Sequence, residues 1–281
     1  MNKESVIVVT GAASGIGRAI TELLAQKCHI IAVDINGQLL QKSFPKQLNS
    51  GQEKTINFVI GSVSEIETHT RSAELAREIG ELVGWVNCAG IGGATPLHEI
   101  VEVLPISNKI LEINQLGTLY GSSVAIQEFL NFGTAGSIVN ISSVHGRRAY
   151  KDHAVYEMTK AAIDALTRNI AVVYGPYNIR ANAVAPGAVM TEAMKKSFID
   201  APDPSARRNF LETHTPLKRI AEPVEIAEVV SFLLFAKSSY ISGQSIAVDG
   251  GWTSVLGFGD LHENLATKYK LNVESGLSLD E

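Results

Sequence analysis

Residues 6–17 read Val6-Ile7-Val8-Val9-Thr10-Gly11-Ala12-Ala13-Ser14-Gly15-Ile16-Gly17. The four β-branched residues at the start are apolar without alternation, the pattern of a strand buried on both faces of a parallel sheet. Three glycines fall within the next positions, and Arg18 to Lys27 then reads as a helix. A glycine-rich turn between a buried strand and a helix lets backbone come close to a pyrophosphate. The helix start then points its unpaired amides at the phosphate charge. The spacing is G-x-x-x-G-x-G, which differs from the more general G-x-G-x-x-G.

Working outward, His29-Ile30-Ile31-Ala32-Val33-Asp34 is a second buried strand that ends in a carboxylate, 17 residues after Gly17. That is close to where an acidic residue accepts hydrogen bonds from an adenosine ribose. A 2′-phosphate beside Asp34 would oppose like charges, at about 4 kcal/mol for a pair 4 Å apart with an effective dielectric of 20. Neither Ala12-Ala13-Ser14 nor Ile35-Asn36-Gly37 carries a base to offset this, so NAD is expected over NADP. The competing reading makes Asp34 a cap for the following helix. A third strand, Ile56 to Ile60, leads to Gly61-Ser62-Val63-Ser64, with Ser64 placed to cap a helix running to about Ile79. Trp85-Val86-Asn87 is a fourth strand and ends in Cys88-Ala89-Gly90. Strand and helix alternate throughout, which predicts an α/β, Rossmann-like, doubly wound parallel sheet of about seven strands with helices on both faces.

The chain has 281 residues, 45% of them apolar and 19% charged. With no low-complexity tract or linker before residue 250, one domain over residues 1–251 is expected, followed by an extension over 252–281. The net charge of -5 speaks against nucleic acid or an anionic membrane as partner. No apolar run is long enough to span a bilayer, and no signal peptide is evident. Two cysteines, Cys28 and Cys88, fit a reducing cytoplasm. The seven histidines are scattered without ligand spacing, so no metal is expected.

Tyr156 and Lys160 stand four apart on a helix whose apolar positions are Ala154, Met158, Ala161, Ala162, Ala165, Leu166 and Ile170. They therefore share one face. A free phenol titrates near ~10 and accepts protons poorly at neutral pH. A lysine ammonium within about 4–6 Å favours the phenolate. Asn114 falls inside a long helix, roughly Ser107 to Phe132, where asparagine is mildly unfavourable. The strand Ser137 to Ile141 ends at Ser142-Ser143, 13 residues before Tyr156.

These residues together resemble the short-chain dehydrogenase/reductase family, over residues 5 to about 251. The resemblance rests on Thr10-Gly11-x3-Gly15-Ile16-Gly17, Asn87-x-Ala89-Gly90, Asn114, Ser143, Tyr156-x3-Lys160 and Pro186-Gly187. It implies an NAD(H)-dependent oxidoreductase that interconverts a secondary alcohol and a ketone. Tyr156 would be the general base or acid, and Ser143 would hold the substrate oxygen. Lys160 would tune the tyrosine and hold the nicotinamide ribose, while Asn114 would hold a water leading to solvent. The implied cofactor contacts are Gly11, Ser14, Gly15, Ile16, Gly17, Asp34, Ile35, Ser62, Val63, Asn87, Ala89, Gly90, Tyr156, Lys160, Pro186, Gly187, Val189 and Thr191. A homotetramer built on the helices carrying Asn114 and Tyr156 is also implied. Two positions depart from the family pattern. Cys88 stands where many relatives carry asparagine and reads as a small buried filler. Ser62 stands where many carry an aspartate, which predicts weaker adenine binding.

Pocket residues of such a protein follow the catalytic serine, the Asn-x-Ala-Gly turn and the Pro-Gly turn. The first of these segments, residues 145–153, is polar and basic, and Arg147 or Arg148 could grip a carboxylate or a polyol. The alternative leaves both arginines on the solvated side of the loop. Gly92-Gly93-Ala94-Thr95 leaves room above the nicotinamide, and residues 191–213 read as a lid. Rival readings are an NADPH-dependent ketoacyl or quinone-type reductase, opposed by Asp34, and a non-catalytic cofactor-binding protein, opposed by the intact Ser143, Tyr156, Lys160 and Asn114.

Overall fold

The computed structural model describes residues 4–45 and 55–255. Among these, seven strands form one parallel sheet: β1 (Ser5–Thr10), β2 (His29–Asp34), β3 (Ile56–Ile60), β4 (Glu81–Asn87), β5 (Gly136–Ile141), β6 (Ile179–Pro186) and β7 (Ser245–Val248). Their order is β3-β2-β1-β4-β5-β6-β7, so the winding reverses between β1 and β4. Ligands of such sheets lie beyond the carboxyl ends of the strands at this switch point.

The apolar runs become strands because both faces of the sheet are covered. Along β1 the side chains alternate between faces, as a pleated strand requires. Ile7 and Val9 pack with Ile20 and Leu24 of α1 (Gly15–Leu24) and with Ile226, Val230 and Leu233 of α9 (Pro223–Leu234). Val6 and Val8 pack on the other face with Ala73 and Ala76 of α3 (Ile66–Ile79) and with Val124 and Phe129 of α5 (Gly117–Phe132). Each buried Val or Ile contributes about 1.5–3 kcal/mol. A polar network ties the central strands together. Asn87 accepts from the Trp85 indole (3.0 Å) and donates to Ser122 (3.0 Å) and Asn140 (2.8 Å); Asn140 donates to Thr167 (2.9 Å).

Three helix boundaries differ from the sequence reading. α1 begins at Gly15, inside the glycine turn and not after it. The N-cap of α3 is Glu65, because the Ser64 hydroxyl is taken up by Ser62 (2.8 Å). The helix around Asn114 is not uniform: α4 (Leu104–Ile110) passes through a π-helical segment, Leu111–Leu116, into α5. A short helix α2 (Gly37–Ser43) follows β2 and is capped by Asn36, whose side chain accepts from the Leu39 amide (2.9 Å). α6 (Ala154–Tyr174) follows β5. The segment read as a lid folds into α7 (Glu192–Ile199) and α8 (Pro204–His214). Of the 252–281 extension, residues 256–281 lie outside the described residues. Among the described residues, no helix is long and apolar enough to cross a membrane.

Candidate active site

The glycine turn is built for close approach. Gly11 has φ +68°, and a Cβ there would lie 2.8 Å from the Ala89 Cα. A Cβ on Gly17 would fall 2.1 Å from the Gly11 carbonyl oxygen. Both positions exclude any side chain, and together they leave bare backbone under the start of α1. The loop after β4 is fixed to this turn by Thr10, whose hydroxyl accepts from the Cys88 (3.0 Å) and Ala89 (3.1 Å) amides. Asp34, at the end of β2, accepts from the Ala13 (3.0 Å) and Asn36 (2.9 Å) amides, so it braces the turn. It does not cap α2, because Asn36 does. A carboxylate has about four acceptor positions, which leaves capacity for ribose hydroxyls.

One cavity of about 570 Å³ runs along the carboxyl ends of the strands. Its wall contains Gly11, Ser14, Gly15, Ile16, Gly17, Asp34, Ile35, Ser62, Val63, Ala89, Gly90, Pro186, Gly187, Val189 and Thr191, together with Ser143, Tyr156 and Lys160. β2 and β5 are three strand spacings apart, so the two groups of residues are separated by about 14 Å across the sheet. Two expected site residues do not line it. Asn87 is 4% exposed and spends its carboxamide on the network described above. Asn114 is fully buried behind the cavity wall.

Asn114 has a defined task. Its Oδ1 accepts from the Ile91 amide (2.8 Å), and its Nδ2 donates to the Ile91 carbonyl (2.9 Å) and to Thr159 (3.2 Å). The Thr159 hydroxyl in turn donates to the Tyr156 carbonyl (2.7 Å). Both ends of the Asn114 carboxamide are therefore occupied by protein, and the residue joins the loop after Gly90 to the first turn of α6. The π segment, with its extra residue in the turn, is what faces this side chain toward Ile91.

Lys160 is 4% exposed and donates from Nζ to the Ile141 carbonyl (2.8 Å), with the same nitrogen 5.5 Å from the centroid of the Tyr156 ring. The Ser143 hydroxyl accepts from the His145 amide (3.2 Å) and heads a short 3₁₀ turn, Val144–Gly146. Cys88 lines the cavity, and burial pushes its thiol up to about 12, against partial relief from Lys160. It is a filler and not a nucleophile.

Within the pocket segment expected at residues 145–153, the side chains that line the cavity are His145, Tyr150 and His153. His145 meets Tyr156 (ring centroids 6.0 Å apart) and Tyr150 (5.5 Å) edge-on and stacks on His153 (6.2 Å, 16°). Burial, and next the neighbouring His153, hold the His145 imidazole below its ordinary value. Arg147 and Arg148 do not line the cavity. Arg147 reaches the buried Asp164 (3.7 Å) and the Ser245 carbonyl, and Arg148 reaches the Thr253 carbonyl (3.4 Å). Among the described residues, the guanidinium in the wall is that of Arg207, on α8, accompanied by Met194, Leu211 and Trp252.

A doubly wound sheet with a glycine turn at its switch point, and a Ser, Tyr and Lys gathered at one cavity, define a nicotinamide-dependent oxidoreductase of the Rossmann type. The chain belongs to the short-chain dehydrogenase/reductase family, and its substrates are small alcohols and ketones handled with NAD or NADP. A family model described as enoyl-(acyl carrier protein) reductase matches residues 11–253. Levodione reductase of Leifsonia aquatica is 32% identical over 253 residues, covering 88% of this chain and 94% of the relative. L-rhamnose-1-dehydrogenase of Scheffersomyces stipitis is 33% identical over 251 residues, covering 88% and 95%. A crystal structure of levodione reductase superposes with a TM-score of 0.82 at 29% identity, covering 91% of this chain and all of the other. The bare glycine turn and the length of the cavity fit such a cofactor.

Proposed function

We propose that this chain interconverts a secondary alcohol and a ketone with NAD(H), using Tyr156 as general base in oxidation and general acid in reduction. The observation that carries the reading is a single cavity bounded by Asp34 at β2 and by Ser143, Tyr156 and Lys160 at β5 and α6. When bound, the nicotinamide supplies or accepts the hydride. Ser143 donates its hydroxyl hydrogen to the substrate oxygen and orients it. Tyr156 takes the carbinol proton at its phenolic oxygen, or returns it in the reverse direction. Lys160, fixed by the Ile141 carbonyl, sets a positive charge beside that oxygen as negative charge develops. Asn114 positions this group through Ile91 and Thr159. Helices α7 and α8 cover the site and exclude water.

The preference for NAD rests on Asp34. Among the described residues, the only Lys or Arg lining the cavity are Lys160 and Arg207, and neither is on β2 or in the turn after it. The whole of 1–251 acts as one domain, with 252–281 as an extension. Self-association into a tetramer uses the long helices, whose exposed apolar residues include Leu119 and Phe132 on α5 and Met158 and Val172 on α6. The low cysteine count, Cys28 and Cys88 alone, supports a cytoplasmic setting.

The test is absorbance at the reduced-nicotinamide band, with NAD⁺ or NADP⁺ and a panel of secondary alcohols, beside Tyr156→Phe. Turnover with NAD⁺ that vanishes in the variant is expected. Turnover with NADP⁺ alone would overturn the cofactor reading.

A further inference from the structure

Among the described residues, the cavity has one guanidinium in its wall, that of Arg207, and no carboxylate is paired with it. Among the described residues, Asp34 and Glu192 are the carboxylates in its wall, and both meet the glycine turn, Asp34 as described and Glu192 by accepting from the Gly15 amide (3.0 Å). The bases are placed differently. Arg207 is half-buried, and the one polar contact of its guanidinium among the described residues is to the Ser197 hydroxyl (3.3 Å). Its neighbour Arg208 pairs with Glu212 (2.8 Å) on the outer face of α8. Leu211, one turn after Arg207, lines the cavity with it, so residues 207 and 211 mark the inner face. Arg18, Arg77, Arg147 and Arg219 also have carboxylate partners. Partial burial strips water from the Arg207 guanidinium, and a single neutral hydroxyl is a weak replacement.

Two imidazoles, those of His145 and His153, line the same cavity. His153 Nδ1 lies 2.6 Å from the Lys151 carbonyl, which can only accept, so the proton sits on Nδ1 and Nε2 remains for a ligand. Among the described residues, His145 Nδ1 is buried without a hydrogen-bond partner, and the Glu157 carboxylate is 3.9 Å away. The edge contact of His145 with Tyr156 sets this wall beside the reacting oxygen.

We infer that the substrate is a hydroxy acid and its product the keto acid, with Arg207 holding the carboxylate and His145 and His153 forming the polar wall beside the carbinol. The inference deepens the alcohol–ketone reading above and rests on it.

Two measurements test it. The first compares kcat/KM for hydroxy acids of four to six carbons with that for their primary amides, in the wild type, Arg207→Gln, Arg207→Lys and Arg208→Ala. The acid is expected to be preferred by tenfold or more. Arg207→Gln should raise KM for the acid on the order of 10- to 100-fold and leave the amide unchanged. Arg207→Lys should recover part of the loss, and Arg208→Ala should behave as wild type. The second follows unreactive butyrate and butyramide by saturation-transfer NMR on the NADH-loaded protein, where only the butyrate signal should depend on Arg207. A preference for amides or neutral polyols, or an equal effect of Arg207→Gln on both members of a pair, overturns the inference. If no alcohol turns over but butyrate binding depends on Arg207, the subsite stands and the reaction reading falls. If neutral alcohols turn over and the two probes bind alike, the reverse holds.

Discussion

The carboxylate of Glu192, the first residue of α7, accepts a hydrogen bond from the Gly15 amide at the start of α1 (3.0 Å). The first amides of a helix following a glycine turn are where a pyrophosphate would rest. Glu192 thus lays its own negative charge on that position and links the covering helices to the glycine turn. A bound cofactor must displace it, at a cost of about 1 kcal/mol for a carboxylate at a helix N-terminus. Glu192→Gln should therefore bind NADH roughly fivefold more tightly, read by nucleotide fluorescence titration. An unchanged Kd would mean the contact does not compete.

Asp34→Asn separates charge from shape. The amide oxygen can still accept from Ala13 or Asn36, while the repulsion toward a 2′-phosphate disappears. The ratio of Kd for NADP⁺ to Kd for NAD⁺ should fall at least tenfold, within the ceiling of about 4 kcal/mol set by one charge pair. A constant ratio would remove Asp34 from cofactor choice.

Much of this architecture was legible because buried parallel strands are written as unbroken apolar runs. β2 and β3 have the limits read from sequence, and the glycine turn lies where strand meets helix. What was hidden depends on contacts distant in the chain. Nothing near Asn114 announces a π segment, because its partner Ile91 lies 23 residues earlier. The lid helices lacked an apolar stripe: α7 buries no residue and α8 only Leu211. Arg147 and Arg148 are adjacent charges in the sequence, yet the buried Asp164 and the carbonyls of Ser245 and Thr253 take them away from the cavity. Arg207 looked like its neighbour Arg208, and only the rotation of α8 distinguishes them.

Asn114→Leu keeps the branched shape, adds bulk and removes three hydrogen bonds at a fully buried position. The Ile91 amide and carbonyl lose their partner, which predicts a loss of roughly 2–5 kcal/mol. The thermal midpoint should drop by roughly 5–15 °C. kcat should fall more than NADH affinity, because Asn114 acts on the Tyr156 turn and not on the glycine turn. A variant with normal Tm and normal kcat would contradict the positioning role.

The Arg219–Glu225 pair gives a pH signature away from the site. Two close contacts, 2.6 Å and 2.7 Å, and next the Glu222 amide (2.8 Å), hold the Glu225 carboxyl below the usual carboxylate range. A carboxyl depressed in the folded state adds stability above its unfolded value, and that stability is lost as pH falls through the folded value. Arg219 is 41% exposed, so screening limits the contribution to about 0.5–1 kcal/mol. Arg219→Gln should therefore melt about 1–3 °C below wild type at pH 7. The gap should close as the pH falls below the ordinary glutamate range and through the lowered value of Glu225 in the folded protein. Melting curves from pH 3 to 7 test this, and a gap that stays constant or widens on acidification would show that the pair does not set the stability of the α9 start.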